Sequence, residues 1–131
     1  MKTRTVVSIV FAASAVYDGL LGLAFLFAAE GLFRWFGVTP PNHFGYVQFP
    51  ALLLIAFALM FLEIARNPER GRNLIPYGIV LKASYSGIVF FYWLTTDIPG
   101  MWKPFAICDS IFLVLFAWGY LALGRRPAPA A

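Results

Sequence analysis

The sequence predicts an all-α fold, an integral membrane four-helix bundle with both termini in the cytoplasm. Three observations carry that expectation. Of 131 residues, 61% are hydrophobic and 12% are charged, whereas soluble domains carry about 25% charged residues. The apolar residues gather into four runs long enough to cross a bilayer. The basic residues, Lys82 excepted, cluster at the ends of those runs and are divided unequally between the two sides.

A span needs roughly 20 residues, at about 1.5 Å each, to cross about 30 Å of hydrocarbon. The first run, Val6–Ala29, meets that length. Its opening, Met1–Ala15, has a basic start and ends on Ala13-Ser14-Ala15, much as a cleavable signal peptide does. The apolar pattern resumes beyond Asp18 and Gly19, so the segment is expected to stay as a helix. The second run is Tyr46–Ala65, with Pro50 placed in its first turn, where a missing N–H does little harm. Leu74–Leu94 and Pro104–Leu123 complete the set, followed by a short cytoplasmic tail at 124–131. Turn formers bound the connections: Pro40-Pro41 between Gly37 and Gly45, then Asn67-Pro68 with Gly71, then Ile98-Pro99-Gly100. The segment Glu30–Phe44, EGLFRWFGVTPPNHF, alternates aromatic and polar residues and is predicted to lie in the interface as a short amphipathic turn.

Orientation follows from the basic residues. Lys2, Arg4, Arg66, Arg70, Arg72, Arg125 and Arg126 fall on one side, and only Arg34 and Lys103 on the other. Seven against two places the termini and the middle loop inside. Trp35, Tyr46, Trp93 and Trp102 are expected at the outer interface, and Tyr77, Trp118 and Tyr120 near the inner one. The net charge of +4 is therefore topological, and no nucleic-acid partner is expected. The partner is the lipid bilayer, with a homo-oligomer or a larger membrane complex left open. A single cysteine, Cys108, excludes an internal disulfide, and in apolar surroundings it reads as a packing residue. A lone histidine, His43, leaves no metal-ligand cluster.

Four ionisable residues interrupt the spans. Glu63 lies near the inner end beside Arg66, where an interfacial ion pair accounts for it. Lys82, Asp18 and Asp109 lie roughly 12, 18 and 21 Å from the cytoplasmic end at about 1.5 Å per residue, and a lysine stem bridges much of that difference. At about 2.5–3.5 kcal/mol each near a helix centre, three such groups facing lipid cost on the order of 8–10 kcal/mol. They are expected to face one another. Ser14, Asp18 and Gly22 share a stripe at i, i+4, i+8, as do Gly78, Lys82 and Ser86, and small residues beside a charge admit a neighbouring backbone. Tyr17 and Tyr85 are placed to offer hydroxyls to the charges. One ammonium against two carboxylates leaves a formal −1, so a proton is retained, or else water or a bound cation reaches the site. Three readings stay open: a triad that fixes helix order and register, a site for a ligand, ion or proton, and snorkelling to the lipid headgroups. His43, in the outer loop, is a secondary candidate as relay or ligand, as is Glu63.

The segments YDGLLGLAFLF, EGLFRWFGV and ARNPERGRNLIPYGIVLK resemble the DoxX-like superfamily of small four-helix bacterial membrane proteins. The likeness covers most of the chain. It implies a bacterial inner-membrane location and, because some members are subunits of quinone-linked sulfur oxidation enzymes, a quinone as the one cofactor to consider. No catalytic motif carries over to a residue of this chain. An acid in the first helix is also similar to the small multidrug transporters, whose near-neutral charge balance the seven-to-two bias contradicts. The expected function is a non-enzymatic binding or accessory subunit with a buried Asp/Lys/Asp cluster. The alternatives are an oligomeric transporter or channel for a small solute or protons, and a quinone-interacting redox subunit in which Tyr85 or His43 meets the headgroup.

Overall fold

A computed structural model describes residues 2–124. Most of the expected tail, with Arg125 and Arg126, lies outside the described residues. Four long helices are present: α1 (Thr3–Phe27), α3 (Gly45–Arg66), α5 (Ile75–Thr95) and α6 (Lys103–Gly124). Between them come the short helices α2 (Ala29–Trp35) and α4 (Pro68–Gly71), with 3₁₀ turns at Arg72–Leu74 and Gly100–Trp102. The long helices are apolar and long enough to cross a membrane. At most 28% of each apolar window is buried, so the outward faces, carrying residues such as Val16, Leu20, Leu59 and Val114, are left for lipid. The chain is a small multi-pass membrane protein.

The helices close a ring. α1 packs chiefly on α3 and also on α6, α5 packs on α6, and of the neighbouring pairs α3 and α5 touch least. Lipid offers little hydrophobic drive for helix association, so close packing and polar contacts must supply it. Glycines allow that packing at two points. A Cβ on Gly22 would stand 2.8 Å from the Ala51 carbonyl oxygen, and one on Gly78 would stand 2.7 Å from the Phe61 ring. The buried stripe of α1 is Val7, Phe11, Ser14, Asp18, Gly22 and Phe25, and that of α5 is Ile75, Gly78, Lys82, Ser86 and Val89. Both follow the spacing of three and four that keeps one face on its neighbours.

One end of the bundle gathers the basic residues. There Arg4 pairs with Glu69 at 2.8 Å and Arg66 with Glu63 at 2.8 Å. Arg72 Nε donates to the Tyr120 carbonyl at 3.0 Å, with its guanidinium 3.9 Å from the Tyr120 ring centre. The Asn67-Pro68 pair is more than a turn. Asn67 Oδ1 accepts the Arg70 N–H at 3.2 Å with Pro68 opening α4, the arrangement that caps a helix N-terminus.

The opposite end departs from expectation in two places. The first span closes at Phe27, the chain breaks direction at Ala28 (φ −128°), and Ala29–Trp35 forms a helix where an interfacial turn was expected. The break lets Phe33 tuck inward against Phe44 and Trp102 while Trp35 stays exposed. Gly37, at φ +67°, ends α2: its N–H donates to the Arg34 carbonyl, and the Val38 N–H donates to that of Phe33, a glycine C-cap. Pro50 sits in the second turn of α3, not the first, so it withholds an N–H from the Tyr46 carbonyl. Trp102, just before α6, is half-buried and packs on Phe25 and Phe33.

Candidate functional site

Two apolar cores flank a polar layer. Toward the basic end, Val7, Phe11, Phe61, Ile64, Ile75 and Phe116 form a dense core. Toward the other end, Phe25, Phe33, Ala51 and Met101 form a smaller one. Between them lie Asp18, Lys82 and Asp109, from three different helices. Lys82 Nζ donates to Asp18 Oδ2 at 2.7 Å and to Asp109 Oδ1 at 3.1 Å. Its side chain is fully buried, with that of Asp18 1% and that of Asp109 10% exposed. The ring centres of Phe112, Tyr17 and Phe61 lie 5.1, 5.3 and 5.6 Å from Nζ, within the range in which an aromatic face attracts a cation. Ser14 Oγ donates to Asp18 Oδ2 at 3.4 Å, and Ser86 Oγ donates to the Lys82 carbonyl at 2.5 Å. A buried ammonium with two carboxylates and an aromatic surround has replaced most of the hydration it gave up.

The sequence expectation for the charges agrees with this arrangement, but that for the tyrosines does not. Neither hydroxyl bonds a carboxylate. Tyr85 Oη donates to the Trp102 carbonyl at 3.0 Å, which ties α5 to the start of α6. Tyr17 Oη is buried beside the Cys108 thiol, a weak partner at best, and reaches no carboxylate; the Tyr17 ring turns onto Phe112 (centres 5.6 Å apart). The secondary candidates also lie elsewhere. Glu63 is paired with Arg66 at the basic end. His43 is exposed at the far end, its Nδ1 accepting the Gly45 N–H at 2.9 Å beside the first turn of α3.

Sequence reasoning missed the cavity next to the charges. Its volume is about 320 Å³, and its wall is almost wholly apolar. α3 contributes Tyr46, Pro50 and Leu54, α5 contributes Leu81 and Tyr85, and Phe25, Trp102 and Phe105 crowd the end away from the basic core. Asp18 and Asp109 line it as well, whereas Lys82 does not. The cavity lies along the α3/α5 seam, between the neighbouring helices that touch least. Those helices meet where Phe61 lies against Gly78 and part beyond the charge layer. Pro50 in an apolar run was the one available signal, since a proline within a span frees a carbonyl and favours a local departure from close packing.

Comparison with protein-family models, with curated proteins and with solved structures gives no match.

Proposed function

We propose that this chain is a membrane-embedded binding protein that takes a small, largely apolar molecule from the bilayer through the gap between α3 and α5, serving as an accessory subunit of a larger assembly. The observation that carries the reading is the meeting of an apolar cavity with a charge cluster at bilayer depth. A volume of about 320 Å³ sits at the lower end of the range of about 300–1,000 Å³ typical of ligand pockets. A few polar groups at the end of an apolar chamber are the usual composition of such pockets. The seven-to-two basic bias supports a cytoplasmic basic end, and the resemblance to DoxX-like proteins supports a bacterial inner membrane. A reporter inserted beside Arg70 then reads cytoplasmic, and a periplasmic signal there reverses the orientation. The DoxX-like segments agree with a small bacterial subunit of this kind.

Transport is the weaker reading. A path from the cavity to the basic end would pass through Phe11, Phe61 and Phe116, all fully buried. Phe11 and Phe116 stack at 4.2 Å between ring centres, and Phe61 meets Phe116 at 5.1 Å. A quinone also fits less well. Its carbonyls need donors, yet the polar groups at the inner end are carboxylates, and Tyr85 already donates to Trp102.

Equilibrium binding of radiolabelled butylbenzene to the protein in lipid nanodiscs, with empty nanodiscs as blank, tests the reading. Saturable, stoichiometric binding in wild type that is lost in Leu54→Trp is expected, because the indole fills the chamber. Unsaturable uptake equal in both proteins overturns it.

A further inference from the structure

We infer that the ligand of this cavity is a monocationic amphiphile, an apolar ring or short chain carrying a protonated amine, bound head-first with its ammonium between Asp18 and Asp109. The inference rests on the binding role proposed above and names the chemistry of the ligand. Lys82 occupies Asp18 Oδ2 and Asp109 Oδ1, and Ser14 adds a second bond to the same Asp18 oxygen. Asp18 Oδ1 and Asp109 Oδ2 therefore accept nothing from the described residues. Neither is among the fully enclosed unpartnered atoms, both side chains are at least nine-tenths buried, and both residues line the cavity. The two free oxygens are its inner polar surface.

Charge and donor count point the same way. Two carboxylates against one ammonium leave the cluster one positive charge short, and the shortfall lies on the cavity side because Lys82 does not reach that wall. An ammonium brings the missing charge and three donors to two waiting acceptors. Hard metal cations take about six or more oxygens, more than this apolar wall offers. The donors of the lining that are not already engaged, the Tyr46 hydroxyl and the Trp102 indole N–H, belong to residues at the far ends of α3 and α6. A ligand entering from the lipid thus meets acceptors at the inner end and aromatic surface around its body, where Phe25, Trp102 and Phe105 lie.

The test compares three probes with the same apolar body in nanodiscs, again with empty nanodiscs as blank: butylbenzylamine, butylbenzyl alcohol and butylbenzaldehyde. The amine is expected to bind about tenfold or more tightly than the alcohol, as a hydrogen bond to a charged group outweighs a neutral one by that order. The aldehyde, which brings only an acceptor, binds weakest. Asp109→Asn lowers amine affinity about tenfold and narrows the gap between amine and alcohol, with thermal unfolding of the same sample reading whether the variant is folded. Leu53→Trp, at the half-exposed mouth between α3 and lipid, weakens all three without touching a charge. Equal affinities for amine and alcohol overturn the inference, since a retained proton then completes the cluster. Amine binding unchanged in Asp109→Asn overturns it too. Saturable binding of all three probes with no head-group preference leaves the binding role standing and removes the cationic ligand. Binding of none removes both.

Discussion

The two halves of the bundle differ in how the same four helices fill space. On the basic side of the charge layer, Phe11, Phe61 and Phe116 are fully buried and interlock at 4.2 to 5.8 Å between ring centres. On the other side, the contacting rings of Phe25, Phe33, Phe105 and Trp102 stand 6.0 to 6.3 Å apart, and a chamber of about 320 Å³ opens beside Phe25, Phe105 and Trp102. The dense half carries Gly78, which admits the Phe61 ring. The open half carries Pro50, which keeps α3 from a regular ladder. In lipid, where apolar contact alone does not draw helices together, such local features decide which half closes. Lys82 holds the boundary, since its two ion pairs join α1, α5 and α6 where the dense core ends.

The largest expected effect comes from breaking that boundary. Lys82→Met strands two carboxylates in low dielectric and is expected to destabilise the bundle by about 3–5 kcal/mol, the usual loss when one partner of a buried pair is removed. Combining it with Asp18→Asn and Asp109→Asn leaves no charge to bury and should recover much of the loss. Denaturant unfolding in detergent reads the series. Strict additivity across the three substitutions would show that the side chains do not interact.

The next effect sharpens the contrast between the halves. Phe116→Ala empties a fully packed position and is expected to cost about 3–5 kcal/mol. Phe105→Ala removes a ring of equal size from beside an existing void, where it lacks neighbours on one side. It should cost less than half as much. Equal losses in unfolding experiments would mean that the chamber is as tightly packed as the core.

The four long helices could be read from the sequence because length and continuous apolarity suffice to mark a span. The convergence of Asp18, Lys82 and Asp109 could also be read, from their depths and from the energy of leaving three charges in lipid. Which neighbours pack closely could not. A soluble helix betrays its buried face by apolar periodicity, but here Leu20 and Val16 face outward while Ser14 and Asp18 face inward, so that signal is silent. The parting of α3 from α5, the packing of Trp102 on Phe25 and Phe33 and the break at Ala28 all depend on side-chain shape at contacts far apart in sequence. The tyrosine error has the same root. Proximity along a helix placed Tyr17 and Tyr85 near the charges without specifying where each hydroxyl points.

Those two tyrosines supply the smallest and most discriminating effect. Tyr85 Oη donates to the Trp102 carbonyl at 3.0 Å, so Tyr85→Phe removes one hydrogen bond at the edge of the open half. The expected cost is about 0.5–1.5 kcal/mol, typical of a single neutral bond. Tyr17 Oη is buried with only the weak Cys108 thiol beside it, and a poorly satisfied buried polar group carries a penalty of about 1–3 kcal/mol. Tyr17→Phe keeps the ring that faces Lys82 Nζ at 5.3 Å and deletes only that penalty. It is expected to leave stability unchanged or to raise it, opposite in sign to Tyr85→Phe. Both changes are read by thermal unfolding in one detergent, with the Lys82→Met protein as a scale for a charge effect. A loss in Tyr17→Phe as large as that in Tyr85→Phe would mean that the Tyr17 hydroxyl has a partner after all. Cys108 on α6 is the side chain placed to be that partner, and Cys108→Ala would then cost as much as Tyr17→Phe.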